Sequence, residues 1–137
     1  FTPFGYPGSE GYPKGVKMSQ TIYETQVIGK GDNVEAFGTE MLILFGNEAP
    51  DTLKDFCYSI KVEKPKQKIE PGQTLMLGDH AFKIAYVGDI AERNLTNLGH
   101  LTVNFNGKEE SLMPGAIVVE AKPNPGMAVG TTIKIVA

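Results

Sequence analysis

Two histidines and one cysteine are the side chains of this 137-residue chain best suited to nucleophilic chemistry at neutral pH. They are His80, His100 and Cys57. The ordinary pKa of an imidazole is about 6.5, so a neutral ring with a free lone pair on one nitrogen is available near pH 7. A thiol attacks well only when its pKa is lowered, and a lone cysteine in an apolar run is typical of a small buried residue. We interpret Cys57 in that way, and the histidines become the first candidates.

Strand phase separates the two histidines. His100 opens a run in which Leu101 and Val103 share one face, so His100 lies on the opposite, more polar face and should be reachable. An alternative role for its ring is to cap carbonyls at the end of a preceding helix. His80 is in phase with Phe82 and follows a Gly-Asp turn, which predicts a partly buried, hydrogen-bonded ring at the rim of an apolar face.

Two groups of charged residues have simpler interpretations than catalysis. Asp89 and Glu92 form a carboxylate pair, but their spacing is that of a capping box at the start of a helix. The lysines of residues 61–68 form a basic run that could meet an acidic partner or a phosphate. An exposed, solvated loop explains this run without a partner.

The elements that position these residues are mostly strands. From residue 20 onward, short runs rich in Ile, Val, Tyr, Phe and Thr alternate with Gly, Pro, Asn and Asp. The predicted strands are residues 21–28, 40–45, 57–62, 74–77, 81–87, 100–105, 116–120 and 132–136. Eight short strands at this spacing predict an all-β fold, either a closed barrel or a barrel-like sandwich.

One or two short helices interrupt the strands. Residues 90–98 form the clearer helix, because apolar residues recur at helical spacing and Gly99 can adopt the left-handed conformation that ends a helix. A weaker helical turn is predicted at residues 50–56. The pair Asn106-Gly107 is the strongest hairpin signal in the chain.

Composition excludes several classes of function. The chain has 13 basic and 16 acidic residues, and its formal charge of −3 argues against nucleic acid as a partner. One cysteine excludes an internal disulfide and a cysteine-based zinc site, and it favours the reducing cytoplasm. No apolar stretch approaches the roughly 20 residues that span a bilayer, so we expect a soluble protein without direct membrane insertion.

The chain divides into a leader and one domain. Residues 1–17 are dense in Gly, Pro and Tyr and show no helical or strand period. We interpret them as a segment added for expression or a disordered arm, with Met18 as the natural start. Residues 18–137 then form a single β domain, a size that is sufficient for one hydrophobic core.

Four motifs in fixed order resemble a known family. They are IYETQVIGKG, EMLILFGNEAP, IEPGQTLMLGDHAFKIAYVG and, at residues 87–107, VGDIAERNLTNLGHLTVNFNG. Together they resemble the glucitol/sorbitol-specific IIA component of the bacterial phosphoenolpyruvate-dependent sugar phosphotransferase system. The resemblance covers essentially residues 21–137.

The resemblance implies a cytoplasmic phosphocarrier. Such a protein accepts a phosphoryl group on histidine from the histidine phosphocarrier protein and passes it toward membrane-bound sugar permease subunits. It acts as a transferase component through a phosphohistidine, and no metal or cofactor is required. The alternative is a non-phosphorylated relative that keeps the fold and serves as a binding or regulatory module, for example for a transcription regulator. The sugar and the oligomeric state are left open.

The chain departs from the family where the family carries its phosphohistidine. That residue follows the short helix, and the corresponding stretch here, CYSIKVEKPKQKIEPG at residues 57–72, contains no histidine. Ile60 occupies the position of the nucleophile. Any phosphorylation on histidine must then use His80 or His100. We prefer His100, because it also lies within the motif that matches the family best.

Overall fold

The computed structural model describes residues 20–137, and the leader predicted for residues 1–17 lies outside them. The described part contains two short α-helices, α1 Asp51–Lys54 and α2 Ala91–Leu98. Its strands are β1 Thr21–Lys30, β2 Met41–Phe45, β3 Tyr58–Ile60, β4 Thr74–Leu77, β5 His80–Val87, β6 Leu101–Asn104, β7 Ala116–Val119 and β8 Thr132–Val136. All eight predicted strands and both predicted helices are therefore present, with ends shifted by a few residues at most.

The strands close into a barrel. Their order around it is β1-β3-β2-β6-β7-β5-β4-β8, and β8 pairs back with β1. Most neighbours are antiparallel, but β2 and β3 are parallel, as are β6 and β7. Closure pairs both sides of every strand, which removes the exposed edges that an open sheet presents. The prediction of an all-β fold, a closed barrel or a barrel-like sandwich, is confirmed, and the strand order is that of the closed form.

The core fills the barrel from one face of each strand. β4 and β8 alternate between buried and half-buried residues, the period of two expected for strands with one inner face. Ile133 and Ile135 of β8 are almost fully buried. Ala91 and Leu95 of α2 belong to the same buried cluster. This helix therefore packs on the barrel and fixes the chain that leads into β6.

The predicted hairpin at Asn106-Gly107 is wrong. Because β6 and β7 are parallel, the chain must return to the same end of the barrel before β7 begins, which a tight turn cannot achieve. Asn106 instead organises a longer loop. Its side-chain oxygen accepts a hydrogen bond from the amide of Lys108 at 3.0 Å, and its amide nitrogen donates to the Ser111 hydroxyl at 2.7 Å.

The capping box predicted for α2 is also wrong. The helix begins after Ile90, and no side chain caps its first turn. Glu92 is occupied elsewhere, since its Oε1 accepts a hydrogen bond from the backbone amide of Ile69 at 2.7 Å. This contact attaches α2 to the segment that follows β3. The end of the helix is as predicted, with Gly99 in the left-handed conformation at a φ of 69°.

Replacing Glu92 with alanine should lower the free energy of unfolding by about 2 kcal/mol, because a half-buried amide loses a charged acceptor. The matched control is Asp89→Ala, which removes an exposed carboxylate and should change stability by less than about 0.5 kcal/mol. Urea denaturation measures both. If Asp89 and Glu92 formed a capping box, both substitutions would lower the free energy of unfolding.

A second prediction concerns Tyr23, which is buried, and whose hydroxyl lacks a hydrogen-bond partner among residues 20–137. Burial raises the pKa of this phenol well above its usual range, and the nearby Thr25 side chain, which falls short of a well-formed hydrogen bond, offsets this only in part. Tyr23→Phe should therefore raise the free energy of unfolding by about 1 kcal/mol. Tyr58→Phe is the control with the opposite sign, because the Tyr58 hydroxyl accepts a hydrogen bond from the Met127 amide at 3.3 Å. Urea denaturation should show that Tyr23→Phe has a higher free energy of unfolding than the parent protein and that Tyr58→Phe has a lower one.

Candidate functional site

His100 is held between α2 and the barrel. It directly precedes β6 and is half-buried. Its backbone amide donates to the Asn94 carbonyl at 3.2 Å, and the amide of Gly99 donates to the Leu95 carbonyl at 3.0 Å. Backbone amides thus satisfy these two carbonyls at the end of α2. The alternative in which the imidazole caps this helix is wrong, because the ring reaches a carbonyl on another element.

The His100 ring is oriented by β2. Its Nδ1 lies 3.3 Å from the Leu44 carbonyl oxygen, and its plane stacks on Phe45 with ring centroids 4.3 Å apart. A carbonyl only accepts hydrogen bonds, so the neutral ring carries its proton on Nδ1 and the lone pair on Nε2. Stacking on one face limits rotation of the ring. The imidazole therefore has a fixed tautomer and a fixed plane.

The Nε2 atom of His100 is the ring nitrogen that carries the lone pair in this tautomer. Within the described part of the chain it makes no hydrogen bond. Among the described residues, Nε2 is not one of the fully buried side-chain atoms that lack a partner, and His100 as a whole is half-buried. That a partner can reach this ring stays a prediction.

His80 has a different environment. It is the first residue of β5, pairs with Leu77 across the turn at Gly78 and Asp79, and is exposed. The prediction of a partly buried, hydrogen-bonded ring is wrong. Strand phase puts His80 in line with buried Phe82, but the strand begins there, so the side chain projects beyond the core. Its ring is therefore in contact with solvent rather than held in the core.

The strand register places the two histidines at opposite ends of the barrel. β6 and β7 run parallel, starting from the end at which His100 lies. β5 is antiparallel to β7 and therefore starts at the far end, with His80 as its first residue. The two imidazoles cannot contribute to one site.

Ile60 lies at the same end of the barrel as His100. Phe45 stacks on His100 on one side and pairs with Ser59 of β3 on the other. Two strand spacings of about 4.8 Å separate β6 from β3. Ile60 itself is 1% exposed and pairs with Val27 within the core. The residue that the resemblance places at the family's nucleophile position is thus an aliphatic side chain sealed from solvent, close to a half-buried imidazole.

The other candidates are not reactive groups. Cys57 is a free, fully buried cysteine, and burial raises the pKa of its thiol, so little thiolate forms near neutral pH. It precedes β3 rather than lying within the strand. The lysines of residues 61–68 are all exposed, which agrees with a solvated loop. Among residues 20–137, no three His, Cys, Asp or Glu side chains are grouped to hold a metal ion.

Two features of the site were not predicted from the sequence. Phe45 and the Leu44 carbonyl orient His100, yet they are separated from it by more than 50 residues in the chain. A strand ending in an aromatic residue is too common to indicate such a role. To predict this role, one would have to know that β2 pairs with β6. The local sequence patterns do not specify which strands are neighbours.

The fold and this end of the barrel define a small β-barrel domain that presents one oriented imidazole at its surface. The family model described as the PTS system glucitol/sorbitol-specific IIA component matches residues 22–134. The chain belongs to this family, as the resemblance predicted, and the family supports a IIA phosphocarrier role in a sugar phosphotransferase system.

Individual relatives agree with this assignment. The chain is 33% identical over 114 residues to the glucitol/sorbitol-specific EIIA components of Escherichia coli K12 and Shigella flexneri, which covers 82% of this chain and 93% of each relative. A crystal structure of a PTS system IIA component from Enterococcus faecalis V583 superposes with a TM-score of 0.72 at 29% identity. That match covers 81% of this chain and 97% of the other. No helix within residues 20–137 is long and apolar enough to span a membrane.

Proposed function

We propose that this chain relays a phosphoryl group through Nε2 of His100. The donor is the histidine phosphocarrier protein, and the acceptors are membrane-bound sugar permease subunits. The observation that carries the proposal is the contact between Nδ1 and the Leu44 carbonyl, which assigns the proton to Nδ1 and leaves the lone pair on Nε2. The names of the relatives refer to glucitol and sorbitol, which makes these the first sugars to test.

The transfer step needs no separate base. The Nε2 lone pair forms a bond to phosphorus while the phosphorus–nitrogen bond to the donor's histidine breaks, and the electron pair of that bond returns to the donor's imidazole. The attacking ring becomes cationic, because Nδ1 keeps its proton. Its hydrogen bond to the Leu44 carbonyl then becomes charge-assisted and stronger. The carbonyl therefore stabilises the transition state and product more than the resting ring.

Orientation is the second contribution of the protein. Transfer requires Nε2, phosphorus and the leaving nitrogen to be nearly in line. The stack on Phe45 fixes the plane of the imidazole, and the bond at Nδ1 fixes its rotation within that plane. A free surface histidine such as His80 would have to lose this rotational freedom during each transfer.

The second candidate function is a non-phosphorylated IIA relative that binds other phosphotransferase proteins or a transcription regulator. The observation that favours it is the burial of Ile60, the residue that the resemblance places at the position of the family's phosphohistidine. The barrel and its surface would be retained, and phosphoryl transfer would be lost.

Intact-mass spectrometry separates the two candidates. The protein is incubated with phosphoenolpyruvate, the general phosphotransferase enzyme and the histidine phosphocarrier protein. We expect one added phosphoryl group that is lost in mild acid, as phosphoramidates are. Absence of the label, under conditions that phosphorylate the Escherichia coli relative, would favour the regulatory function.

The proposal also includes a location and a domain organisation. A cytoplasmic location fits the free, buried thiol of Cys57 and a cycle that starts from phosphoenolpyruvate. Residues 18–137 act as one domain, and residues 1–17 as a leader that takes no part in transfer. Removing residues 1–17 should leave the rate of phosphorylation unchanged.

A further inference from the structure

A cleft opens at the end of the barrel opposite His100. It is lined by residues 34–35, 38–39 and 124–126 together with Tyr58, and its volume is about 370 Å³. We call it the Tyr58 cleft. His100 precedes β6, and β2 is antiparallel to β6, so the loop that leads into β2 lies at the other end of the barrel. Small-molecule sites often occupy the mouths of β-barrels, and about 300–1,000 Å³ is their usual volume.

Two loops form the walls of the cleft and are fixed to each other. The Asn124 amide donates to the Thr39 carbonyl at 2.9 Å, and the Asn124 side-chain oxygen accepts a hydrogen bond from the Gly126 amide at 2.9 Å. Gly38 and Gly126 have φ values of 64° and 73°, which favour glycine. A Cβ atom at Gly38 would meet none of the described atoms within 4 Å, and one at Gly126 would lie 3.9 Å from the Tyr58 hydroxyl. The lack of side chains at these positions keeps the cleft open in front of the phenol.

Tyr58 is the most deeply buried residue of the cleft. It is 2% exposed, and its hydroxyl oxygen accepts a hydrogen bond from the Met127 amide at 3.3 Å. A hydroxyl that accepts a bond still has its own proton to donate, and burial makes an unused donor costly. Because Tyr58 lines the cleft, an oxygen atom of a bound molecule is a suitable acceptor for this proton.

The other side chains of the cleft offer both kinds of hydrogen bond. The Thr39 hydroxyl donates and accepts, the Asn124 amide nitrogen donates, and the Glu35 carboxylate accepts. Val34 and Pro125 add apolar surface. A small molecule with several hydroxyl groups on a short carbon chain matches this mixture, because each hydroxyl both donates and accepts and the carbon chain packs on apolar surface.

The charge of the cleft disfavours anions. Glu35 is the one charged side chain among the described residues that line it, and exposed Glu40 is next to the cleft along the chain. Lys122 is two positions from the cleft in the sequence, but its ammonium group donates to the Ala81 carbonyl at 2.5 Å and lies 3.6 Å from Glu120. A carboxylate or phosphate in the cleft would therefore meet like charge, whereas a neutral molecule would not.

We infer that the Tyr58 cleft binds a small neutral polyol, with the Tyr58 hydroxyl donating to one of its oxygen atoms and the Glu35 carboxylate accepting from another. The inference does not rest on the proposed function, because the cleft lies at the other end of the barrel from His100. The protein thus has a ligand site that is separate from the site of phosphoryl transfer.

An NMR titration tests this site directly. The ¹⁵N-labelled protein is titrated with D-glucitol, and amide shifts are followed. We expect saturable shifts at residues 35–39 and 124–127 with a dissociation constant of about 1 mM, the weak affinity that an open cleft and a ligand of about twelve non-hydrogen atoms allow. No saturable shift up to about 100 mM, or shifts confined to other surfaces, would overturn the inference.

D-gluconate tests the charge, because it has the same carbon chain with a carboxylate at one end. It should bind at least about tenfold more weakly than D-glucitol, and Glu35→Gln should narrow this difference by removing one negative charge. If the parent protein binds both molecules equally well, the inferred ligand class is wrong.

Two substitutions test the hydrogen bonds. Tyr58→Phe should weaken binding of D-glucitol about fivefold or more, because the buried donor is lost. Thermal melting establishes that this variant is folded, since it also loses the bond to Met127. Glu35→Ala changes an exposed residue and should weaken binding about threefold or more. The matched control is Glu48→Ala, which removes an exposed carboxylate beyond the other end of β2 and should bind like the parent. Parent-like affinity in both cleft variants would overturn the inference.

Discussion

Replacing His100 with alanine is expected to remove all acid-labile phosphate from this protein. The ring supplies the nucleophilic nitrogen, and the backbone amide that closes α2 is kept in the variant, so the fold should survive. His100→Gln is a second variant that preserves more of the packing against Phe45. Both should show less than about 1% of the parent's phosphorylation rate, since a missing nucleophile typically costs several orders of magnitude. Intact mass before and after mild acid measures the label.

The matched control for this experiment is His80→Ala. His80 is exposed and unoriented at the other end of the barrel, so its loss should leave the rate of labelling unchanged. Label that persists in His100→Ala but disappears in His80→Ala would reverse the assignment. Label that persists in both single variants and is lost only when both are combined would mean that each ring can accept phosphate.

Replacing Ile60 with alanine is expected to have the largest effect on stability. The side chain is almost fully buried in the main core, and its strand pairs with β1. Truncation removes three carbon atoms from the core and leaves a cavity, which typically lowers the free energy of unfolding by about 2–5 kcal/mol. Urea denaturation of Ile60→Ala measures this loss. Ile60→Val should lose about 1 kcal/mol, because one methyl group is removed.

Ser59→Ala is the control on the same strand, since Ser59 is half-buried and faces away from the core. It should change stability by no more than about 0.5 kcal/mol. Ile60→Ala should still accept phosphate at temperatures well below its melting point, because Ile60 contributes packing rather than a reactive group. A stable Ile60→Ala protein that can no longer be phosphorylated would show instead that this position retains a role in transfer.

The positions of the strands could be read from local signals. The runs that became β4 and β8 were predicted with their correct ends, because each is a short apolar-rich run between turn residues. The predicted strand at 57–62 shortened to Tyr58–Ile60. Lys61 keeps one backbone hydrogen bond to Gln26 of β1, but the regular strand has ended, and the chain continues into an exposed loop. Strand ends depend on where the partner strand stops, which a local pattern does not contain.

The capping of α2 illustrates how tertiary contacts override a local motif. Asp89 and Glu92 have the spacing of a capping box, but the Glu92 carboxylate binds the Ile69 amide, which comes from a distant segment of the chain. The hairpin at Asn106-Gly107 failed for a similar reason. The sequence favours a tight turn at this pair, whereas the parallel pairing of β6 with β7 demands a long return.

The amino-acid sequence by itself determined the eight strands, the helix that ends at Gly99, the family, and the absence of a histidine between residues 57 and 72. Those features depend on residue type and on spacing within one segment. Only the tertiary structure decided which histidine is oriented. The ring of His100 takes its tautomer and plane from Leu44 and Phe45, and His80 is exposed because β5 starts beyond the core. The physical reason is that hydrogen bonds and ring contacts act over a few ångströms, and barrel closure brings together residues that the chain keeps more than 50 positions apart.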